Sequence, residues 1–359
     1  MTPSPTPRGH VAAIPRYVPG RPPTPRPGLT TYKLSSNENP YPPLPGVLEA
    51  TEGALGGLNR YPDAGNVLLY DALADHVGVD VDRLAAATGS VALIYHLLQA
   101  YAGPGDEVVH AWRSFEAYPI AVAAVGATAV QVPLTKDFRH DLDAMAAAVT
   151  ERTRVVMVCT PNNPTGPAVT QAELDSFLAK VPPEVLVVVD EAYLEFVRSE
   201  DPVDGVRTQA AHDNVVLLRT FSKAYGLAGL RVGYAVAHPE VADALRAITL
   251  PFAVSVPAQV AAVESLRHRE ALAARVDALV GERERVVAAV RAAGWPVPDA
   301  QGNFLWFPTG ARTDAFVAAA EEIGIAVRPF GAEGVRVSVG EPEGNDRVVL
   351  LAGRVGPPL

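Results

Sequence analysis

Three polar segments of this sequence each follow a short apolar run, and each carries side chains that can do chemistry. They cover residues 160–166, 190–193 and 222–231. Lys223 can form a Schiff base with a carbonyl group, and burial would lower its pKa enough to make it nucleophilic. Asp190 stands directly after five apolar residues, where an unpaired carboxylate costs too much free energy, so it needs a cationic or hydrogen-bonding partner. These residue types point to Schiff-base chemistry at Lys223.

Short apolar runs alternate with helix-like stretches through the middle of the chain. The runs are Glu107–Ala111, Ala127–Leu134, Arg154–Cys159, Val185–Val189, Val215–Leu218 and Val232–Val236. Such alternation predicts βα units around a mostly parallel sheet. Residues 155–159 and 185–189 are apolar at every position, which predicts central strands covered by helices on both faces. Because open α/β sheets place ligands at the carboxyl ends of their strands, we expect the three polar segments to meet there.

The two ends of the chain differ from this middle part. The proline-rich residues 1–36 predict an extended arm packed on another surface, since proline fixes φ and removes backbone donors. After residue 251 the pattern becomes a long helix over about Ala258–Ala293, and short strands follow near Phe304–Phe307, Ala326–Arg328 and Val335–Val339. We therefore predict a large α/β domain over residues 37–252, with a mostly parallel sheet of the seven-stranded type between helices, and a smaller α+β domain over residues 253–359.

Composition narrows the possible functions. The 359 residues carry a formal net charge of -10 and no clustered basic run, which argues against a nucleic-acid partner. The uncharged stretch over residues 117–134 contains Pro119 and Gly126 and predicts a buried helix and strand rather than a membrane span. The single cysteine, Cys159, excludes a disulfide framework, and the histidines lack ligand spacing, so we expect no metal. A polar N-terminus without an apolar core favours a cytoplasmic protein.

Three sequence motifs carry a resemblance to a known family. They are N-P-T-G at residues 163–166, D-x-x-Y at 190–193 and S-K-x-x-x-x-x-G-x-R at 222–231. Over nearly its whole length the chain resembles the class I/II aminotransferases of fold type I, most of all the histidinol-phosphate aminotransferase branch. Residues 89–93 and 112–118 look like the actinobacterial members that act on phenylalanine or other aromatic amino acids. The resemblance implies the fold of a type I pyridoxal-phosphate transferase, with pyridoxal 5'-phosphate as cofactor.

The resemblance assigns roles around the cofactor ring. Lys223 would hold the cofactor and then move the proton at the substrate Cα as general base and acid. Asp190 would keep the ring nitrogen protonated, because a buried carboxylate stabilises a cation beside it. Asn163 and Tyr193 would donate to the phenolate oxygen, and Phe115 would stack on the ring. In a regular strand Asp190 and Tyr193 would point to opposite faces, so the chain should leave the sheet between them.

The cofactor phosphate needs backbone amides at a helix start and charged donors. Ser90 and Val91, after Gly89, match the helix start, and Ser222 and Arg231 match the family's side-chain donors. In the family a tyrosine from the neighbouring subunit also reaches this phosphate, and its counterpart here is Tyr61. The resemblance thus implies a homodimer with shared active sites.

A further group of residues bears on the substrate. Arg336 matches the arginine that binds the substrate carboxylate, and Asn37 belongs to the family segment at the active-site mouth. Arg328 and Tyr17 match two of three groups that hold the phosphate of histidinol phosphate, but the third position is Phe252, which cannot donate a hydrogen bond. The expected activity is transamination of aromatic amino acids, phenylalanine first, with a 2-oxo acid such as 2-oxoglutarate. The alternative is the histidinol-phosphate aminotransferase of histidine biosynthesis.

Three other functions are weaker readings of the same sequence. A pyridoxal-phosphate decarboxylase stays open, because the orientation at Cα that selects the broken bond cannot be deduced from a sequence. A non-catalytic regulator would need an added DNA-binding domain, for which the chain has no room. A nicotinamide dehydrogenase would need a G-x-G-x-x-G turn after a strand, and the spacing at Gly226–Gly229 does not match it.

Overall fold

A computed structural model describes residues 5–12 and 14–357 of the chain. The strands are β1 (Tyr32–Lys33), β2 (Leu84–Ala87), β3 (Glu107–Trp112), β4 (Thr128–Pro133), β5 (Thr153–Cys159), β6 (Leu186–Asp190), β7 (Val215–Thr220), β8 (Gly233–Val236), β9 (Phe304–Phe307), β10 (Ile325–Ala326), β11 (Arg328–Phe330) and β12 (Gly334–Ser338). The α-helices are α1 (Gly9–Ala12), α2 (Val47–Leu55), α3 (Val67–Val77), α4 (Ser90–Tyr101), α5 (Ala117–Val125), α6 (Leu142–Ala147), α7 (Gln171–Leu178), α8 (Gly205–Ala211), α9 (Pro239–Ile248), α10 (Val256–Arg267), α11 (Arg269–Ala292), α12 (Thr313–Glu322) and α13 (Pro342–Val355).

The central sheet has seven strands in the order β2-β8-β7-β6-β5-β3-β4, and β8 runs antiparallel to both of its neighbours while the other pairs are parallel. Each of the six apolar runs in the sequence forms a strand of this sheet, which confirms the predicted arrangement. On β6 the side chains alternate between two cores: Val187 and Val189 pack in one, and Leu186 and Val188 pack in the other. Helices therefore cover both faces of the sheet, as the uninterrupted apolar runs predict.

The carboxyl ends of the middle strands lie side by side and set up the site. Cys159, the last residue of β5, is in register with Asp190, the last residue of β6. The chain leaves the sheet after Asp190, and Tyr193 precedes a short 3-10 turn at Leu194–Phe196. Asp190 and Tyr193 are thereby released from strand alternation, as the sequence predicts.

The long helical pattern after residue 251 forms two helices, so the prediction of one helix is wrong. His268 separates α10 from α11 with backbone angles φ -104 and ψ 47. Its N–H donates to the carbonyl oxygen of Ser265 at 3.2 Å. The break serves packing, because α10 lies against α2 and α3 whereas α11 lies against α13. The composition of the segment favours helix throughout and does not mark the change of partner.

A second correction concerns the strand predicted over residues 326–328. Val327 separates two short strands: β10 pairs in parallel with β1, and β11 pairs antiparallel with β12. The three-stranded sheet then runs β11-β12-β9. The split arises because the chain changes partners, and the β1 contact ties the end of the N-terminal arm to the C-terminal part of the molecule.

The N-terminal arm is extended, as its prolines predict, but α1 was not expected; it packs against α5. Most residues between 14 and 31 are exposed to solvent. Within the described residues, every helix is too short or too polar to cross a membrane. The same part of the chain contains no group of three or more His, Cys, Asp or Glu side chains arranged to bind a metal ion.

Candidate active site

A cavity of about 230 Å³ opens at the carboxyl edge of the central sheet, where it is closed on one side by β11 and β12. Most of the site residues predicted from the sequence line it: Tyr17, Ser90, Val91, Phe115, Asn163, Asp190, Tyr193, Ser222, Lys223, Arg231, Arg328 and Arg336. Three predicted residues do not line it: Asn37, Tyr61 and Phe252. The fold thus brings together residues that are up to about 300 positions apart in sequence.

Lys223 enters the cavity without an ion-pair partner among the described residues. Its Nζ lies 3.3 Å from the carbonyl oxygen of Ser36 and 3.4 Å from that of Asn37. Burial, and next the nearby charge of Arg336, lower the pKa of Lys223 to about 7. A large share of this lysine is therefore the neutral amine at neutral pH, which is the form that attacks a carbonyl carbon.

Asp190 is a buried carboxylate on the wall of the same cavity. Its Oδ2 accepts a hydrogen bond from the hydroxyl of Tyr118 at 2.7 Å, and its Oδ1 accepts one from the backbone N–H of Ala192 at 3.2 Å. Burial raises the pKa of Asp190 to about 6 in spite of these donors. No cationic side chain forms a salt bridge with it in the described part of the chain. A carboxylate so placed fits a cationic ring nitrogen, which would stabilise its charged form.

Asn163 and Tyr193 are held in place by neighbours behind the cavity wall. Asn163 Oδ1 accepts from Nη1 of Arg336 at 2.6 Å, and the Tyr193 hydroxyl accepts from Nδ2 of Asn37 at 2.9 Å. Asn37 is fully buried, with a left-handed φ of 53, and its Oδ1 accepts from the hydroxyl of Ser338 at 3.0 Å. The sequence placed Asn37 at the mouth of the site. The structure places it behind Tyr193, with its amide already engaged.

The start of α4 forms an anion-binding corner of the cavity. Gly89 has a φ of 90, and a side chain there would come within 2.6 Å of the Arg231 guanidinium, so only glycine fits. Arg231 donates from Nη1 to the hydroxyl of Ser222 at 3.3 Å. The N–H groups of Ser90 and Val91 belong to the first turn of the helix and need partners. These donors suit a phosphate group, as the sequence motif predicts.

Arg328 and Arg336 face each other across β11 and β12 as a directly opposed pair. Arg336 donates to two neutral oxygens, Asn163 Oδ1 and, at 2.8 Å, the carbonyl oxygen of Ser35, while its buried Nε has no partner among the described residues. Arg328 instead forms an ion pair with Glu116, 2.6 Å between Nη2 and Oε2. Of these two arginines, Arg336 is thus the one whose charge is left for an anionic ligand.

Three residues of the site were missed by sequence reasoning. Tyr118 holds Asp190, Glu116 holds Arg328, and Phe330 presents a ring to the cavity next to the guanidinium of Arg328, 5.2 Å from its centroid. Tyr118 and Glu116 fall inside the segment 112–118 that marked the subfamily. The spacing of Tyr118 and Glu116 in the sequence does not indicate that their partners, Asp190 and Arg328, lie on β6 and β11.

Tyr61 and Phe252 lie on the surface of the molecule. Their rings stack with centroids 4.5 Å apart, and their exposed fractions are 80% and 42%. Two adjacent aromatic rings with this exposure are poorly placed for a role in the cavity of their own chain.

A mostly parallel sheet with a lysine of lowered pKa and a buried carboxylate at one edge, faced by a buried arginine from a second sheet, is typical of aminotransferases. The chain belongs to the class I and II aminotransferases, whose family model matches residues 30–350. It is 57% identical over 343 residues to an aromatic amino acid aminotransferase of Streptomyces avermitilis, with 96% of this chain and 95% of the relative covered.

Two further comparisons agree with this family. The chain is 51% identical over 349 residues to an aromatic amino acid aminotransferase of Rhodococcus jostii, covering 97% and 96% of the two chains. The crystal structure of a histidinol-phosphate aminotransferase from Sinorhizobium meliloti, in complex with pyridoxal-5'-phosphate, matches with a TM-score of 0.84 at 27% identity, covering 90% of each chain. The fold type I architecture expected from the resemblance is thereby confirmed.

Proposed function

We propose that this protein transfers an amino group between an aromatic amino acid, phenylalanine first, and a 2-oxo acid such as 2-oxoglutarate, with pyridoxal 5'-phosphate as cofactor. The observation that carries the proposal is that Lys223, Asp190 and Arg336 line one cavity. The substrate class is supported by the two relatives, which are aromatic amino acid aminotransferases more than half identical to this chain.

The cavity wall offers a matching group for each part of the cofactor. Asp190 would pair with the protonated ring nitrogen, and the corner formed by α4, Ser222 and Arg231 would bind the phosphate. Asn163 and Tyr193 would contact the phenolate oxygen, with Phe115 against the ring face. When bound, pyridoxal phosphate supplies an electron sink for the electrons released at the substrate Cα.

Lys223 would hold the cofactor through its Nζ and, once displaced by the substrate amine, move the proton at Cα. A group with a pKa of about 7 serves both directions at neutral pH, since it is available as base and as acid. Arg336 would bind the substrate carboxylate through paired N–H groups, and its contacts with Asn163 and Ser35 fix the plane of its guanidinium. The rings of Phe115 and Phe330 give the side-chain end of the cavity an aromatic lining.

We also propose a homodimer in which Tyr61 and Phe252 complete the partner's cavity. Both residues are exposed and stacked on one another, and both stand away from the cavity of their own chain. The resemblance assigns Tyr61 to the phosphate of the neighbouring subunit's cofactor. A cytoplasmic location stays a prediction from the single cysteine. The boundaries between the N-terminal arm, the large domain and the small domain, at residues 36/37 and 252/253, stay proposals.

Mixed dimers test the shared site. We expect Lys223→Ala and Tyr61→Ala subunits, each poorly active alone at limiting cofactor, to regain activity when refolded together. A mixed dimer would contain one cavity with both residues intact, so about a quarter of all cavities would be restored under random pairing. As a control for simple dilution, the Lys223→Ala protein is mixed, without refolding, with wild-type protein in the same buffer. If Tyr61 acts within its own chain, the mixture will show only the sum of its two parents.

Histidinol phosphate is the second candidate substrate, because Arg328 and Tyr17 line the cavity. By the resemblance, Phe252 matches the position of the third phosphate ligand, and its ring cannot donate a hydrogen bond. One hydrogen bond to a charged group is worth about 1.5–3 kcal/mol, or roughly ten- to a hundredfold in affinity. The aromatic substrate is therefore favoured, and the engagement of Arg328 by Glu116 points the same way.

A substrate comparison decides between the two. We expect kcat/KM for phenylalanine, with 2-oxoglutarate as acceptor, to exceed that for histidinol phosphate by about tenfold or more on one enzyme preparation, since a factor of ten corresponds to the loss of one such hydrogen bond. Tyrosine measured alongside gives the tolerance for a ring hydroxyl. A tenfold preference for histidinol phosphate would assign the enzyme to that substrate, and no transamination at all would overturn the proposed function.

A further inference from the structure

Besides Asp190, a second acidic side chain lines this cavity, which is otherwise suited to anions. Glu116 lies directly after the ring-stacking residue Phe115 at the N-terminal end of α5 and lines the cavity. Its carboxylate is 2.6 Å from Nη2 of Arg328, and the two side chains are 26% and 8% exposed. Glu116 makes no capping hydrogen bond to α5, so its side chain is not needed to start the helix.

The two arginines that β11 and β12 contribute to the cavity are therefore in different electrostatic states. Among the described residues, the hydrogen bonds of Arg336 go to neutral oxygens, so its charge stays available for a carboxylate. Arg328, directly opposite on the neighbouring strand, has its charge balanced by Glu116. The side-chain end of the cavity is close to neutral when the Glu116–Arg328 pair is formed, although it contains a buried arginine.

We propose that Glu116 is a specificity-determining residue, which occupies Arg328 and so makes the side-chain end of the cavity favour an uncharged aromatic ring over a phosphorylated side chain. This inference rests on the proposed function and names what sets its substrate preference. Neither the three family motifs nor the names of the relatives assign a role to this position.

The charges of the competing ligands explain the direction of the effect. An aromatic ring leaves the ion pair intact and packs against Phe115 and Phe330. A phosphate dianion that reaches Arg328 must displace the carboxylate of Glu116 or lie beside it, and like charges brought together in a partly buried site repel strongly. The second carboxylate of a 2-oxo acid such as 2-oxoglutarate is also repelled by Glu116. Because this group carries a single negative charge, the loss of affinity is smaller than for a phosphate.

Glu116→Gln tests the proposal, because the amide keeps the size of the side chain and removes its charge. We expect kcat/KM for histidinol phosphate to rise by about tenfold or more, and KM for 2-oxoglutarate to fall, since both anions gain an unoccupied Arg328. The value of kcat/KM for phenylalanine, with 4-hydroxyphenylpyruvate as an acceptor whose side chain is uncharged, should change by less than about threefold. If Glu116 served only the fold, its replacement would change kcat/KM for all substrates by one common factor.

Glu333→Gln is the matched control. Glu333 pairs with Arg113 and does not line the cavity. Its replacement by glutamine removes the same charge as Glu116→Gln does. It should leave the ratio of histidinol phosphate to phenylalanine at the wild-type value. An unchanged ratio in Glu116→Gln overturns the inference while aromatic transamination by the wild type stands. A wild-type enzyme that does not transaminate phenylalanine overturns the proposed function itself.

Discussion

Lys223→Ala should lower kcat/KM for phenylalanine transamination by at least about 10²–10⁴-fold, the range typical for loss of a positioned general base and acid. The variant should also lose the covalent link to the cofactor, so borohydride reduction followed by peptide mass spectrometry would find no cofactor mass on residues 222–231. Both effects follow from one observation, the placement on the cavity wall of an amine whose pKa is lowered to about 7. The fold should survive, because in the described part of the chain Nζ makes just two long hydrogen bonds, to carbonyl oxygens at 3.3 and 3.4 Å.

Two controls make this result specific. Lys180→Ala removes an exposed lysine that pairs with Asp143 on the surface, and we expect wild-type activity and wild-type labelling. Lys223→Arg keeps a positive charge in the cavity but removes the primary amine, so it should be as inactive as alanine. Cofactor mass on a different lysine, or activity within about tenfold of the wild type in Lys223→Ala, would contradict the role given to this residue.

The sheet could be predicted from the sequence because its strands are marked locally. Uninterrupted runs such as 155–159 and 185–189 can be satisfied only between two layers of helix, and each ends at a polar segment. Parallel strands share one carboxyl edge, so the meeting of Lys223 with Asp190 follows from topology alone. The roles within the site came from motif resemblance, and the distances and contacts could come only from the structure.

The features that sequence reasoning missed depend on long-range packing. The break at His268 separates two helices with different neighbours, although the residues on either side favour helix. Asn37 is drawn behind Tyr193 by Ser338, which is 301 positions away. The Glu116–Arg328 pair joins residues 212 positions apart, from α5 and β11. The local sequence pattern does not indicate partners so far apart in the chain. Ion pairs inside a site are therefore the feature that is hardest to predict from the sequence.

Asp190→Asn should reduce kcat by about 10²–10³-fold, because removing one member of a buried ion pair costs about 3–5 kcal/mol and the pair expected with the cofactor ring would be lost. The asparagine oxygen can still accept from the N–H of Ala192, and the amide NH2 in the place of Oδ2 can donate to the Tyr118 hydroxyl, so this hydrogen bond reverses its direction and is kept. Tyr118→Phe is the companion variant. It removes one donor and keeps the charge, and we expect a loss of only about tenfold.

Asp190→Asn should also make the cofactor-free protein more stable, and this separates the effect on function from the effect on folding. Burial raises the pKa of Asp190 from 3.8 to about 6, so the folded chain binds this proton more tightly than the unfolded chain, and stability falls as the pH rises from about 4 to 6. At pH 7 the ionised carboxylate costs roughly 3 kcal/mol, and Asp190→Asn removes that cost.

Melting temperatures of the two cofactor-free proteins at pH 4.5 and pH 7 would measure this effect. The advantage of Asp190→Asn should be small at the lower pH and should increase by several degrees at the higher one. An Asp190→Asn protein that is less stable than the wild type at pH 7 would mean that the carboxylate serves the fold. A more stable but nearly inactive variant would mean that the chain keeps a costly buried charge because the ring nitrogen of its cofactor requires one.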